Sequence, residues 1–563
     1  MTSTAAIHAD LILIGAGYAG VCAFEAAAHH LPRGARVVVI DRNEAWGGMW
    51  NTVYHYVRLH QPYKNFTAGA REWSIGSSKP EKHLASKGEI LNHFSDITLA
   101  AIQEQELDVC FLFSHEIDDP AKFQVVDHDT EGKPVVQVVA RPVGAAPSQA
   151  APLVTVTGNR MINATGFDVP QKVAFDLSTN NTRIHSLTPA DVLTGSFTSL
   201  AHFSTTNAEI IVIGSGKTAM DVLYHIAKRE PNLAHRLRCV AGRGTWFLNR
   251  KATFPTGTWE KYVPSTRTST DIFFDILEKF DGTNEQEVYR AMESKEAMHS
   301  AMPQKSSFVL GLTSEEEMDI VRQVLTPTKE RIIHGYLVDI VDHDVHGDGG
   351  TDEMASTSSG ASSTTAMRLR DLEGNEYLRN VSDGTIVINA TDNLVESSNR
   401  FMPVIDSSGL VLSPQALCGF SGPSATLATH AWFAGTLSRV WKHLPRLQMD
   451  VDKKSLFGLH LMAVLVLNTG AVRSCIPKKW LKEWIDNKYA PNNRYPMYRL
   501  LFTGLRAKRI VPVLFPKFAK MIPARYTDKE PYQVKHRDVL GGNAMGKKNG
   551  KAGRRRVSTL SKM

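Results

Sequence analysis

The chain has 563 residues, 42% hydrophobic and 21% charged, enough for two or three packed domains and a large core. Its formal charge of +7 equals the seven lysines and arginines between Gly546 and Met563, a stretch without an acid, so the body is formally neutral and no nucleic-acid partner is expected. The five cysteines are scattered, with no Cys-x-x-Cys pair, which excludes a disulfide framework, a zinc ribbon and a dithiol redox pair. No metal site is expected, and Met1 to Asp10 has neither a basic start nor an apolar run of signal-peptide length.

Asp10 to Ile14 reads as a buried parallel strand, followed by Gly15-Ala16-Gly17-Tyr18-Ala19-Gly20 and a helical run from Val21 to Ala28. The first glycine permits the tight turn, the second lets the backbone approach a pyrophosphate, and the third lets the helix pack on the strand. The helix start then presents N–H groups and the positive dipole end to phosphates. A second strand, Arg36 to Ile40, ends in Asp41, where a carboxylate can accept from a ribose diol. Strand, glycines, helix, strand and acid in this order specify a dinucleotide site far better than the glycines alone.

Gly47-Gly48-Met49-Trp50 follows closely. It resembles the G-G-x-W element of flavin-containing and Baeyer–Villiger monooxygenases, where the segment runs past the flavin ring. The resemblance implies FAD at the first site, with Gly48, Met49 and Trp50 lining it. In microsomal-type members an asparagine lies near the flavin shortly after this element. Here His60 or Gln61, within Arg58-Leu59-His60-Gln61-Pro62, stands near that place and is the candidate catalytic position. Further along, Met161 to Phe167 resembles the strand-end A-T-G element, with Thr165 and Gly166 at the cofactor. Ile184-His185-Ser186 resembles the linker before the second nucleotide unit, although the full linker motif is not intact.

Glu209 to Ile213 is another apolar strand, leading into Gly214-Ser215-Gly216-Lys217-Thr218-Ala219. A phosphate-loop ATPase motif would need glycine at 211, which is isoleucine. The next strand, Leu237 to Ala241, ends without an acid, and Arg243 stands near the place of the missing carboxylate. A guanidinium binds a 2′-phosphate that a carboxylate would repel, so this site is expected to take NADPH, with Lys217 and Thr218 adding to phosphate binding. The pattern from Asp271 to Val324 is helical. Gly384 to Asp392 resembles the return to the FAD domain, with Asp392 where glycine is usual. Ser421 opens a helix that in the family faces the flavin pyrimidine edge, and His430 in that helix reads as a core residue.

Leu456 to Val472 is apolar but shorter than the ~20 residues that span a bilayer, and reads as a buried helix. Between Lys478 and Pro523 basic and bulky apolar residues alternate. Prolines at 512, 516 and 523 are expected to break any long helix, which favours packing onto the body over peripheral membrane contact. Ser561-Lys562-Met563 is one residue from the S-K-L address read by the peroxisomal import receptor. A peroxisomal location is therefore expected in a eukaryote, and a cytoplasmic one otherwise.

The expected fold is α/β, with two Rossmann-like dinucleotide-binding domains for FAD and NADPH and a mainly helical C-terminal extension. The first part of a discontinuous FAD domain occupies 1–170, the NADPH domain with a helical insertion 200–380, the FAD return 381–450, the extension 451–535 and a disordered basic tail 541–563. The resemblance, over roughly residues 8 to 440, implies an NADPH-consuming monooxygenase inserting one oxygen atom of O2 into a small organic substrate through a flavin hydroperoxide. Two other readings stay open from the sequence: a reductase of the same fold without oxygen insertion, and a flavin-binding interaction protein.

Overall fold

The computed structural model describes residues 7–69, 71–117, 123–127, 133–144, 153–165, 172–194, 197, 208–256, 268–326, 328–344, 363–391, 403–414, 422–439, 441, 454–476 and 497–521. Gly166, Asp392, Ser421 and the 541–563 tail with Ser561-Lys562-Met563 lie outside the described residues.

Leu11–Ile14 is buried on both faces, Leu11 and Leu13 against helix Tyr18–Ala28 and Ile12 and Ile14 against the strands Pro134–Pro142 and Val154–Gly158. It lies at the centre of a five-stranded sheet in the order Val411–Leu412, Met161–Asn163, Leu11–Ile14, Arg36–Asp41, Asp108–Phe113, with every pairing parallel. A second five-stranded sheet repeats the plan: His185–Leu187, Ile386–Asn389, Ile210–Ile213, Leu237–Val240, Ile332–Ile333, again all parallel. In each sheet the strand entering the glycine turn is central, and the tetrapeptide Ile-Asn-Ala-Thr closes its neighbour, at 162–165 in the first and 388–391 in the second. This is an α/β fold with parallel sheets consistent with two Rossmann-like domains.

The repeat corrects the reading of 384–392. Ile386–Asn389 pairs with Ile210–Ile213 and therefore closes the second sheet. The chain re-enters the first sheet later, at Val411–Leu412 beside Met161 and Ile162. The stretch 271–324 is also not wholly helical. Helices Ser269–Lys279, Glu285–Glu293 and Glu315–Leu325 are interrupted by the strands Met298–His299 and Ser307–Thr313.

Lys454–Cys475 is a buried helix, as its composition predicts, and Gly458 lets it lie directly on Phe308, whose ring a Cβ there would meet at 2.4 Å. Beyond it, Met497–Met521 is one helix with Pro512 and Pro516 inside it, contrary to the expected break. Ile510, Leu514 and Phe518 bury one side of it among Phe274, Leu277, Phe280 and Met462, and this packing offsets the two lost backbone hydrogen bonds. Among the described residues no helix is long and apolar enough to cross a membrane.

Candidate functional site

Two helix ends face outward from the two glycine turns. Tyr18–Ala28 starts after Gly17, and Lys217–Arg229 after Gly216. Neither has a side-chain cap or an acid in its first turn. Three other helices are capped both ways, Ser86 with Glu89, Thr268 with Asp271 and Ser314 with Glu317, and Glu285–Glu293, which lacks a side-chain cap, carries Glu285 and Glu287 in its first turn. The starts of Tyr18–Ala28 and Lys217–Arg229, with neither a side-chain cap nor an acid, leave N–H groups for an anion.

The turn geometry suits a dinucleotide. Gly15 has φ +92°, and a Cβ at Gly20 would stand 1.9 Å from the Gly15 carbonyl oxygen, so the helix packs here only on glycine. Gly17, by contrast, is open except toward Gly48, whose own φ of +54° brings the 47–50 segment onto the turn. In the second sheet Gly214 has φ +119° and presses on the Ala390 carbonyl, while a Cβ at Gly216 would meet nothing within 4 Å. Thr165 and Thr391 are held alike, each donating from its backbone N–H to the side-chain oxygen of the asparagine two residues before, at 3.1 and 3.3 Å.

Asp41 ends its strand buried. Its Oδ2 accepts from the Ala16 N–H at 2.6 Å and its Oδ1 from Asn43, so the carboxylate braces the turn and keeps acceptor capacity on Oδ2 for a ribose hydroxyl. Arg243 stands exposed after the acid-free strand, with its backbone carbonyl accepting from the Ser306 N–H at 3.0 Å. Met49 is exposed, whereas Trp50 is buried among Leu59, Tyr63, Phe66 and Phe94. Tyr18 stacks on Phe66 at 3.7 Å between ring centroids.

Lys217 does not point along the turn. Its ammonium pairs with Asp221 one helical turn on and with Glu317 at 3.2 Å, and Glu317 pairs with Arg250 at 2.7 Å. The cluster holds two cations and two carboxylates. Burial pushes the Glu317 carboxyl up, but Lys217 and Arg250 outweigh it and bring the group down to about 2. Burial likewise disfavours the Lys217 ammonium, yet Asp221 and Glu317 hold its pKa above the ordinary range.

This cluster reaches the first sheet's loop. Arg250 Nε donates to the His60 carbonyl at 2.7 Å, and the Tyr54 hydroxyl donates to Asp221 at 2.9 Å. His60 is therefore fixed through its backbone, and burial followed by the nearby charges of Lys217 and Arg250 pushes its imidazole down to about 3. Its Nδ1 is buried without a partner, as are the Tyr56 hydroxyl and both amide atoms of Asn65. Gln61 is partly exposed. Orphaned polar atoms concentrated in one loop beside the 47–50 segment are what a bound polar group would satisfy.

Sequence reasoning missed Asn65, Tyr54, Asp221, Arg250 and Glu317. Only the Lys217–Asp221 spacing of four carried a local signal. His430 is buried, as expected, with its Nδ1 2.9 Å from His30 Nε2. Among the described residues no group of three or more metal-ligating side chains comes together.

Burial keeps five imidazoles neutral, with pKa values near 3 for His60, His93 and His430 and near 4 for His299 and His460. Unfolded, each takes a proton below about 6.5. The unfolded chain then binds more protons than the fold, so stability falls as pH is lowered from about 6.5 toward 3. Urea midpoints measured at pH 7.5 and 5.5 are expected to drop at the lower pH; a flat profile would refute the buried neutral assignments.

No family model matches the chain. Uncharacterized proteins of Mycobacterium tuberculosis and Mycobacterium bovis are each 27% identical to it over 292 residues, 48% of this chain and 47% of theirs. The chain spans about half the length of the curated relatives it matches. Its structural neighbours are flavin monooxygenases over most of the chain. The polycyclic ketone monooxygenase of Thermothelomyces thermophila is 13% identical, with 92% of this chain and 89% of that one covered and a TM-score of 0.43. A cadaverine monooxygenase of Erwinia amylovora, in a structure bound to FAD, is 12% identical, with 84% and 96% covered and a TM-score of 0.38. A flavin-containing monooxygenase of Stenotrophomonas maltophilia is 13% identical, with 83% and 98% covered and a TM-score of 0.34.

Proposed function

We propose that the chain is an FAD-dependent, NADPH-consuming monooxygenase that transfers one oxygen atom of O2 to a small organic molecule and releases the other as water. The observation that carries this reading is the duplicated parallel sheet with two uncapped helix starts, only the first of them joined to a strand-end carboxylate and to a G-G-x-W segment. When bound, FAD accepts hydride from NADPH and delivers the electrons to O2.

The residues divide the work as follows. The Gly15–Gly20 turn and the start of its helix hold the FAD pyrophosphate, and Asp41 the adenosine ribose. Gly48 keeps the 47–50 segment against the turn, and Met49 presents its side chain beside it. Trp50 acts from below, as packing for that segment. Gly214, Gly216 and the helix start at Lys217 hold the NADPH pyrophosphate, and Arg243 the 2′-phosphate. Lys217 balances Asp221 and Glu317, so its contribution is to the shape of the second site. His60 remains neutral at physiological pH and offers a hydrogen bond from an enclosed position, with Gln61 and Asn65 beside it in the chain.

Arg243→Ala tests the assignment of the second nucleotide. A charge-assisted contact to a phosphate contributes about 1.5–3 kcal/mol, so KM for NADPH is expected to rise roughly 10- to 100-fold with KM for NADH unchanged. Equal kinetics with NADPH before and after the substitution would remove Arg243 from the site.

A further inference from the structure

The helix Met497–Met521 is held firmly from one side. Arg506 reaches the Asp271 carbonyl at 3.1 Å and the Asp275 carboxylate at 2.6 Å on helix Ser269–Lys279, Lys517 donates to the Leu277 carbonyl, and Ile510, Leu514 and Phe518 are buried. Its opposite side is exposed along its length: Tyr498, Leu501, Phe502, Leu505, Lys508, Arg509, Pro512, Val513, Pro516 and Lys520 recur at three- and four-residue spacing.

Two features set this face apart. Leu501, Phe502, Leu505 and Val513 are 60, 62, 53 and 68% exposed, and Tyr498 on the same helix is exposed as well. The helix also has six lysines and arginines between 497 and 521 and no acid. Both prolines lie on the exposed side. The Lys508 and Pro512 carbonyls, which each proline ring leaves without an intrahelical donor, therefore belong to the outer half of the helix.

We propose that this face docks the protein on an anionic lipid surface. Apolar side chains ahead of and between cations, on a helix lying flat against the body, match the boundary between headgroups and acyl chains. A second copy meeting the same face would bring Lys508, Arg509 and Lys520 toward their own duplicates with no carboxylate on the helix to offset them, which disfavours self-association there. A helix broken by proline would favour packing over membrane contact. The helix is continuous, and it does both: one side packs, the other remains available.

The test is flotation of the full-length protein with phosphatidylcholine vesicles, with and without phosphatidylglycerol. Binding is expected to the anionic vesicles and to fall at low phosphatidylglycerol content or high salt. Phe502→Asp with Leu505→Asp, both at exposed positions, is expected to weaken binding at least about tenfold without changing the melting temperature. Lys508→Glu with Arg509→Glu is expected to abolish the preference for anionic lipid. Absence of flotation would overturn the proposal. So would a Phe502/Leu505 double variant that floats as well as the parent, which would assign binding to the basic tail. A change from dimer to monomer in sedimentation velocity, with no effect on lipid binding, would make the face a self-contact and overturn it equally.

Discussion

Gly20→Ala is expected to yield a chain that no longer retains FAD, and Gly214→Ala one that retains FAD but is reduced by NADPH far more slowly. At Gly20 the added Cβ would stand 1.9 Å from the Gly15 carbonyl oxygen. Backbone cannot yield there without opening the turn that presents the helix start, and overpacking of this kind costs about 1–3 kcal/mol or more. At Gly214 the Cβ would stand 2.5 Å from the Ala390 carbonyl, and the φ of +119° is itself unfavourable for alanine. The rate of flavin reduction by NADPH is expected to fall at least ~100-fold, about 2.7 kcal/mol of lost stabilisation. Flavin per chain after desalting, and anaerobic bleaching by NADPH, separate the two outcomes. Equal loss of flavin in both variants would mean that the two turns do not serve two nucleotides.

Glu317→Gln should be the most destabilising single substitution near the site. It leaves Lys217 and Arg250 with Asp221 as the remaining carboxylate of the cluster, and removing one partner of a buried ion pair costs about 3–5 kcal/mol. At roughly 2–4 °C per kcal/mol, the melting temperature at neutral pH should fall by roughly 6–20 °C. The pH dependence carries its own check. The folded Glu317 pKa of about 2 lies below the ordinary 4.5, so its ionisation stabilises the fold fully above about 4.5 and loses that contribution as pH falls toward 2. The gap between parent and variant is therefore expected to be constant above pH 5 and to narrow below it. A gap independent of pH down to 3 would show that the carboxylate is not selectively stabilised. The variant should also loosen the 54–61 loop, because Arg250 holds both Glu317 and the His60 carbonyl.

Both glycine turns and their strands were legible in the sequence because the apolar runs, glycines and following helices are contiguous. The second Ile-Asn-Ala-Thr was placed in the wrong sheet for a physical reason: its local sequence is the same at 162–165 and 388–391, and only pairing with Ile210–Ile213 distinguishes them. Pairing is long-range information. The charge cluster was hidden for the same reason, since Glu317 lies 100 residues from Lys217 and 67 from Arg250. Trp50 shows the limit of a residue-type argument. An indole near a glycine pair can wall a cofactor, and the sequence does not show that Trp50 also packs beside Phe66 in the core. The helix through Pro512 and Pro516 shows tertiary packing overriding local propensity, with Ile510, Leu514 and Phe518 as the residues that hold it.

In the proposed electron path, one chain carries an FAD site and an NADPH site that exchange electrons and pass them to oxygen. The direct measurement is to load the protein with FAD, add NADPH without oxygen, follow flavin absorbance, and then admit O2. This electron path predicts one FAD per chain, complete bleaching that is faster with NADPH than with NADH, and recovery of the oxidised spectrum as O2 is consumed. An FAD-loaded protein that NADPH does not bleach would contradict it.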